Sequence, residues 1–353
     1  MLLSDKYRIL ISISGNDAKS FLQNIVTTDI NELSDKDNIS CQYSLLLSPQ
    51  GKILYDFFIL LDKNFNIFNY IFNAEDIIDD NINNKNELNS QYYLACHPNY
   101  VEDIYNKLKI YKIKSSVDIK IIKNLRMLHI ICNNNIICNK NFNKFDKFDD
   151  KFENNQNNIS NYIVKYTDPR FLEFQSSSQK QLFFSLNITS ELVIVELDYF
   201  TKLFSNYRKY EMNMIDDLML KIKMPQFGHD FFPNEYFPFD FSLENIGAIS
   251  FDKGCYIGQE VITRTKFRNK IRQKLYHLYP LTIDDILINR GDKVMINIDS
   301  NGLTKNIGKV VGIYPEQKLL TLLKIEDIQD YISDIKSDII VDVCEKKYIL
   351  RLQ

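Results

Sequence analysis

Lys253, Gly254 and Cys255 stand together in the stretch FDKGCYIGQEVITRTKFRNK, residues 251–270. Gly254 and Gly258 bracket the cysteine and give the backbone shapes that other residues resist. GQEVITRTKF reads as a short helix, so Cys255 falls on a loop just ahead of a helix N-terminus, with Lys253 beside it. A helix N-terminus and a lysine both favour thiolate over thiol. Cys255 is therefore a candidate reactive or ligand-capable thiol. The alternative is a small side chain buried in a tight turn, the ordinary fate of an unreactive cysteine.

The elements that must position this loop can be read along the chain. A strand is expected near Tyr7–Ser12, followed by a helix in SGNDAKSFLQNIVTTDI. Ser14 with Asp17 has the form of a capping box. Ala18, Phe21, Leu22 and Ile25 fall on one helical face. SCQYSLLLS (40–48) and ILYDFFILL (53–61) form a hairpin across Pro49, Gln50 and Gly51. IFNYIFN is a strand candidate, and residues 75–90 read as a polar helix. Val101, Ile104, Tyr105 and Leu108 mark another helix. Two strands follow, near Val117–Ile122 and Arg126–Ile131. Residues 133–161 are rich in Asn, Lys, Asp and Phe without apolar periodicity, and read as a disordered surface insertion. Residues 191–222 read as helix-rich, with Pro225 as the stop. Residues 271–353 hold a series of short strands with turn residues between them, the pattern of a small β-barrel.

Composition bounds the rest. The 353 residues are enough for two or three packed units, and 45% hydrophobic with 25% charged residues is ordinary globular usage. The formal net charge of −3 does not suggest a nucleic-acid-binding protein, although it leaves room for a local patch. No apolar stretch is long enough to cross a bilayer. MLLSDKYRILISISG has the form of neither a secretory signal nor an organelle presequence, so a cytoplasmic protein is expected, with no membrane partner. Cysteines 41, 96, 132, 138, 255 and 344 form no CxxC pair, so no metal bound by the chain alone is expected. They read as thiols in a reducing compartment. Asn, Ile and Lys are abundant throughout, a bias that erodes motifs wherever constraint is weak.

KGCYIGQE followed by Arg264 resembles the signature of the YgfZ family, Lys-Gly-Cys-aromatic-x-Gly-Gln-Glu-x-x-x-Arg. Lys253, Gly254, Cys255, Tyr256, Gly258, Gln259, Glu260 and Arg264 all match it. SGNDAKSFLQNIVTTDI, LSPQGKILYDF, TDPR and MPQFGHDFFPNEYFP resemble further blocks of that family in the same order. The similarity spans most of residues 8–275, and GKVVGIY is the best-matching block of the C-terminal region.

The resemblance implies an α+β fold. Two ferredoxin-like subdomains would enclose a central cavity within residues 1–270, and a C-terminal β-barrel would occupy residues 271–353. It implies a reduced folate, tetrahydrofolate, as ligand. Pterin recognition calls for a carboxylate, an aromatic slot and cations for the glutamate tail. The candidates are Asp56, Glu260, Tyr43 and Phe57, with Lys52, Lys253 and Arg264. By the same resemblance Cys255 is the key thiol and Lys253 its companion.

The implied function is that of a monomeric accessory factor for assembly or repair of iron–sulfur proteins, including tRNA-modifying enzymes. Its partners would be client enzymes or assembly proteins. Aminomethyltransferase relatives carry two adjacent carboxylates where this chain has Tyr55 and Asp56, and an Arg–Glu pair where it has MLKIKMP. The equipment for aminomethyl transfer reads as incomplete, and an enzyme is not expected. Asn269 stands at a position usually Gly, and Phe239–Asp240 replaces a frequent His–Glu pair. Two alternatives stay open: a folate-dependent aminomethyl- or methyltransferase, and a scaffold that binds no folate. His97, His129, His229 and His277 are dispersed, and His229 reads as structural.

Overall fold

The computed structural model describes residues 2–3, 7–33, 40–62, 67, 91–133, 163–171, 188–205, 216–222, 224–268, 271–283, 286–297, 303–332 and 339–351. The strand expected in IFNYIFN, the helix over 75–90, nearly all of the 133–161 insertion, and Asn269 lie outside them. The chain divides into two compact units. Met1–Leu46, Tyr55–Ile215 and Asn245–Ile257 make the first; Leu47–Leu54, Asp216–Glu244 and Gly258–Gln353 make the second.

The first unit is built on one sheet. Its strands are β1 (Leu2–Leu3), β2 (Arg8–Ser14), β3 (Cys41–Leu47), β4 (Ile53–Asp62), β5 (Gln91–Cys96), β6 (Asp118–Asn133), β7 (Val164–Thr167) and β8 (Ile188–Glu196). They run in the order β3-β4-β5-β2-β6-β8-β7, with β1 also paired to β6. Helix α1 (Ala18–Ile25) follows β2, and α2 (Val101–Tyr111) connects β5 to β6. Strands β6-β2-β5-β4 with these two helices make a βαββαβ ferredoxin-like arrangement. β8, β7 and helix α3 (Leu197–Ser205) extend the same sheet. Every residue of β3 and of β5 is buried. β5 accordingly runs apolar after Gln91, while β3 buries Gln42 and Ser44 among its apolar residues.

Several expectations need correction. α1 buries Ala18, Phe21, Leu22 and Ile25 as its periodicity requires, but no side chain caps its start. Ser14 ends β2, and the Asp17 carboxylate instead accepts the Ser116 backbone N–H at 2.7 Å, tying the helix start to the approach to β6. The two strands expected over 117–131 are one strand, β6. Its register against β2 jumps from Ile9↔Arg126 to Leu10↔Ile122, a bulge over Lys123–Leu125 that breaks the apolar pattern. Residues 191–196 are strand, not helix; Val193, Ile194 and Val195 are β-branched and pair along β6.

The second unit holds the barrel. β9 (Gln273–Pro280), β10 (Lys293–Asn297), β11 (Thr304–Ile313), β12 (Leu319–Lys324), β13 (Ile339–Val343) and β14 (Lys346–Arg351) close in the order β10-β11-β12-β9-β14-β13. All six strands fall where the sequence pattern puts them. Alternate residues such as Leu278, Val294, Val310, Val341 and Tyr348 fill the interior, with Ile328 of helix α5 (Ile325–Ile332).

Asp230, fully buried, ties the FGHDF loop to this barrel. It accepts the Gln226 backbone N–H at 2.8 Å and the Tyr314 hydroxyl at 2.8 Å, and its other oxygen lies 2.7 Å from His229 Nδ1. Gly312 must be glycine there: a Cβ would stand 2.2 Å from Asp230 Oδ1. His229 is thus a structural partner, as its sequence context suggests.

Candidate functional site

Helix α1 ends at Ile25, and its last carbonyls have no intrahelical donor. Lys253 supplies one. Its Nζ donates to the carbonyls of Gln23 and Val26 at 2.7 Å and of Thr28 at 2.9 Å. Three acceptors match the three protons of an ammonium group. The segment before it is tied to the same stretch. Thr27 Oγ1 donates to the Ala248 carbonyl at 2.6 Å, the Ser250 N–H to the Thr27 carbonyl at 3.0 Å, and the Asp29 N–H to Ser250 Oγ at 2.9 Å. Burial lowers the Lys253 pKa to about 8, with the Asp29 carboxylate pulling the other way. Tyr256 lies with its ring centroid 5.0 Å from Nζ.

Cys255, two residues further on, is exposed. The reading of a cysteine sealed in a turn therefore does not hold. Gly254 is exposed too, and a Cβ there would meet nothing within 4 Å. Lys253 departs from the expected geometry in one respect: its three protons go to carbonyls, so it fixes the loop that carries the thiol. Cys41 and Cys96, by contrast, are buried, and burial pushes both thiols upward in pKa.

A second cluster lies on the sheet of the same unit. Asp56 on β4 is fully buried and takes Arg8 bidentately, at 3.0 and 2.8 Å, while the Tyr43 hydroxyl donates to it at 2.8 Å. Asp168 takes Arg170 at 3.1 and 2.7 Å and lies 3.1 Å from His129 Nε2, with Ser190 Oγ donating at 3.3 Å. The two guanidinium groups both stack on Phe58, at 5.0 and 4.8 Å from its centroid, and Arg170 also covers Tyr43 at 5.3 Å. Burial alone would raise both carboxylates. Arg8 nevertheless holds Asp56, and Arg170 with His129 holds Asp168, below the usual carboxylate range. The cluster is joined to the Lys253 loop through β3. Thr28, whose carbonyl accepts from Lys253, donates through Oγ1 to Ser44 Oγ at 2.8 Å, next in sequence to Tyr43.

The remaining candidates belong to the second unit. Lys52, in the β3–β4 turn, donates to the Asn234 carbonyl at 3.2 Å. Glu260 and Arg264 pair at 2.5 Å across one turn of α4 (Gln259–Arg268), largely exposed. Gly51 and Gly258 both adopt positive φ, +80° and +84°. A Cβ on Gly258 would strike the Ser48 carbonyl at 2.6 Å, so the turn and the start of α4 meet backbone to backbone. Among the described residues, no group of three or more His, Cys, Asp or Glu could hold a metal ion.

The structure thus brings Tyr43 and Asp56 together, and Glu260 with Arg264. Sequence reading missed Arg8, His129, Asp168, Arg170 and Ser190. TDPR carried a signal as a motif block, but nothing local pairs it with a histidine on β6. Arg8 had no signal beyond being a charge at the start of an apolar strand.

No family model matches the chain. It is 22% identical over 272 residues to a mitochondrial iron–sulfur cluster assembly factor IBA57 homolog of Dictyostelium discoideum, covering 77% of this chain and 60% of that protein. The match therefore spans less than two thirds of that relative's length. It is 23% identical over 305 residues to the tRNA-modifying protein YgfZ of Aliivibrio fischeri, covering 86% of this chain and 78% of that protein. The glycine cleavage system aminomethyltransferase T from Bartonella henselae superposes with a TM-score of 0.54 at 13% identity, over 98% of this chain and 85% of its own.

The chain is similar in sequence to the YgfZ and IBA57 proteins and in fold to the aminomethyltransferase. The signature that resembles the YgfZ family's is divided between the two units at Ile257–Gly258. The thiol and its lysine belong to the unit that holds the sheet. Gly258, Gln259, Glu260 and Arg264 belong to the unit that holds the barrel.

Two outcomes test this geometry. Lys253→Met strands three carbonyls and is expected to lower the unfolding free energy by about 2–4 kcal/mol. Cys255→Ser, at an exposed site, is expected to change it by less than about 0.5 kcal/mol. Urea unfolding checks both. The carboxylates give a third. Their folded-state pKa values lie below the unfolded ones, so they add stability above about pH 4 that is lost as pH falls through the folded-state range. Asp168→Asn, which leaves the buried Arg170 uncompensated, is expected to cost about 3–5 kcal/mol at pH 7 and to lose less than the parent on going to pH 3. Urea midpoints at the two pH values decide it.

Proposed function

We propose that the chain is an accessory factor for iron–sulfur proteins, including enzymes that modify tRNA, and that Cys255 is its working thiol. The observation that carries this reading is an exposed cysteine on a loop clamped by a buried lysine, inside the signature shared with the YgfZ family. The names of the IBA57 and YgfZ relatives support the client class. The cluster is cargo. One thiolate supplies one ligand, and a client or assembly partner supplies the others.

Tetrahydrofolate is the small ligand the family resemblance implies, and the described side chains fit it in part. Asp56 is sealed from solvent and engaged by Arg8 and Tyr43, so it offers the pterin edge no free carboxylate. Lys52 and Arg264 are cations suited to a glutamate tail. No step of the proposed role runs through the folate. Aminomethyl transfer is disfavoured, because Tyr55 replaces one of the two carboxylates of the transferase relatives.

The test is activity of an iron–sulfur enzyme in cells whose own copy of this chain is deleted. The full-length parent is expected to restore activity and Cys255→Ser to leave it near the deletion level. Full rescue by the serine variant removes the thiol from the account. Equilibrium titration with tetrahydrofolate separates the folate-binding reading from a scaffold. Saturable binding weakened by Lys52→Ala and Arg264→Ala supports the first, and no binding at high micromolar concentration leaves the second.

A further inference from the structure

A chain of net charge −3 contains a strongly basic stretch. From Val261 to Ile283 the sequence contains no Asp or Glu. Among the described residues there, Arg264, Lys266 and Arg268 of α4 and Arg272 and Lys274 ahead of and in β9 are all exposed. They all belong to the second unit. Carboxylates approach two of them. Glu260 pairs with Arg264, and Glu244 is close enough to Lys274 to feel its charge.

Arg264 and Arg268 stand one helical turn apart, so they present two like charges on one side of α4. Amid these cations Phe267 holds 77% of its side chain in water, between Lys266 and Arg268. The flat face of such a ring is suited to stacking on a planar base. Exposed cations beside it in sequence can neutralise a phosphate backbone.

We propose that the α4–β9 surface binds an unpaired segment of nucleic acid. Lys266, Arg268, Arg272 and Lys274 neutralise phosphates, and Phe267 stacks on a base. The whole-chain charge concealed this surface, because acidic residues elsewhere offset it. The proposal is independent of Cys255 and of folate.

The test is fluorescence anisotropy with the full chain and a labelled RNA hairpin carrying a seven-base loop, at 50 to 200 mM NaCl. A DNA hairpin of the same sequence and a fully paired duplex are the other probes. The hairpins are expected to bind more tightly than the duplex, and the RNA and DNA arms show whether the sugar is read. Changing Lys266, Arg268, Arg272 and Lys274 together to Gln is expected to weaken binding at least about 10-fold at 50 mM NaCl and to reduce the log–log salt slope by about 3. Phe267→Ala is expected to weaken it at least about 5-fold with the slope unchanged. A control variant, Lys109→Gln with Lys120→Gln and Lys123→Gln on the first unit, is expected to bind as the parent does. The proposal is overturned if the hairpins do not bind at 50 mM NaCl, or if the control loses as much as the quadruple variant. It is also overturned if Phe267→Ala is silent while a polyglutamate peptide competes as well as RNA, which would assign the surface to an acidic protein.

Discussion

One ammonium group organises the candidate site. Lys253 gives all three of its protons to carbonyls at the end of α1, and its position then dictates where the next residues go. A buried lysine is costly to hold charged, and its lowered pKa reflects this. Three carbonyl acceptors offset that cost. The loop between Ser250 and Tyr256 has little freedom left. Gly254 and Cys255 project from it into solvent. A thiol on a fixed loop presents a defined geometry to a partner without ordering a flexible segment first.

The buried cluster on the sheet extends this rigidity. Two Arg–Asp pairs meet over Phe58, with Arg170 also over Tyr43, and His129, Ser190 and the Tyr43 hydroxyl bond to the carboxylates. Such a network is costly unless every member is satisfied, and breaking one partner strands the other's charge. Its strands come from distant parts of the chain: β2, β3, β4, β6 and the residues around Asp168. It therefore pins the register of the sheet on which the Thr28–Ser44 contact stands. Asp56 has the residue type expected of a ligand carboxylate, yet its present bonds serve this network.

Legibility in the sequence followed the range of the interactions. The barrel strands could be read because each carries its own alternation and turn residues. The apolar face of α1 could be read for the same reason. The Lys253–Cys255 loop was found as a motif, but the lysine's partners lie more than two hundred residues away, so its clamping role was invisible. Arg8, Asp168 and His129 are likewise joined only by the fold. The bulge in β6 hid a single strand behind two. The basic run into β9 was plain in the sequence, but averaging charge over the chain removed it from view.

The central claim is that position 255 offers a solvent-facing thiol on a folded, clamped loop. Site-resolved alkylation of the native full-length chain, read by mass spectrometry, tests it most directly. Cys255 is predicted to react with iodoacetamide nearly as fast as in the urea-unfolded chain, while Cys41 and Cys96 remain protected. Protection of Cys255 to the level of Cys41 would contradict the account.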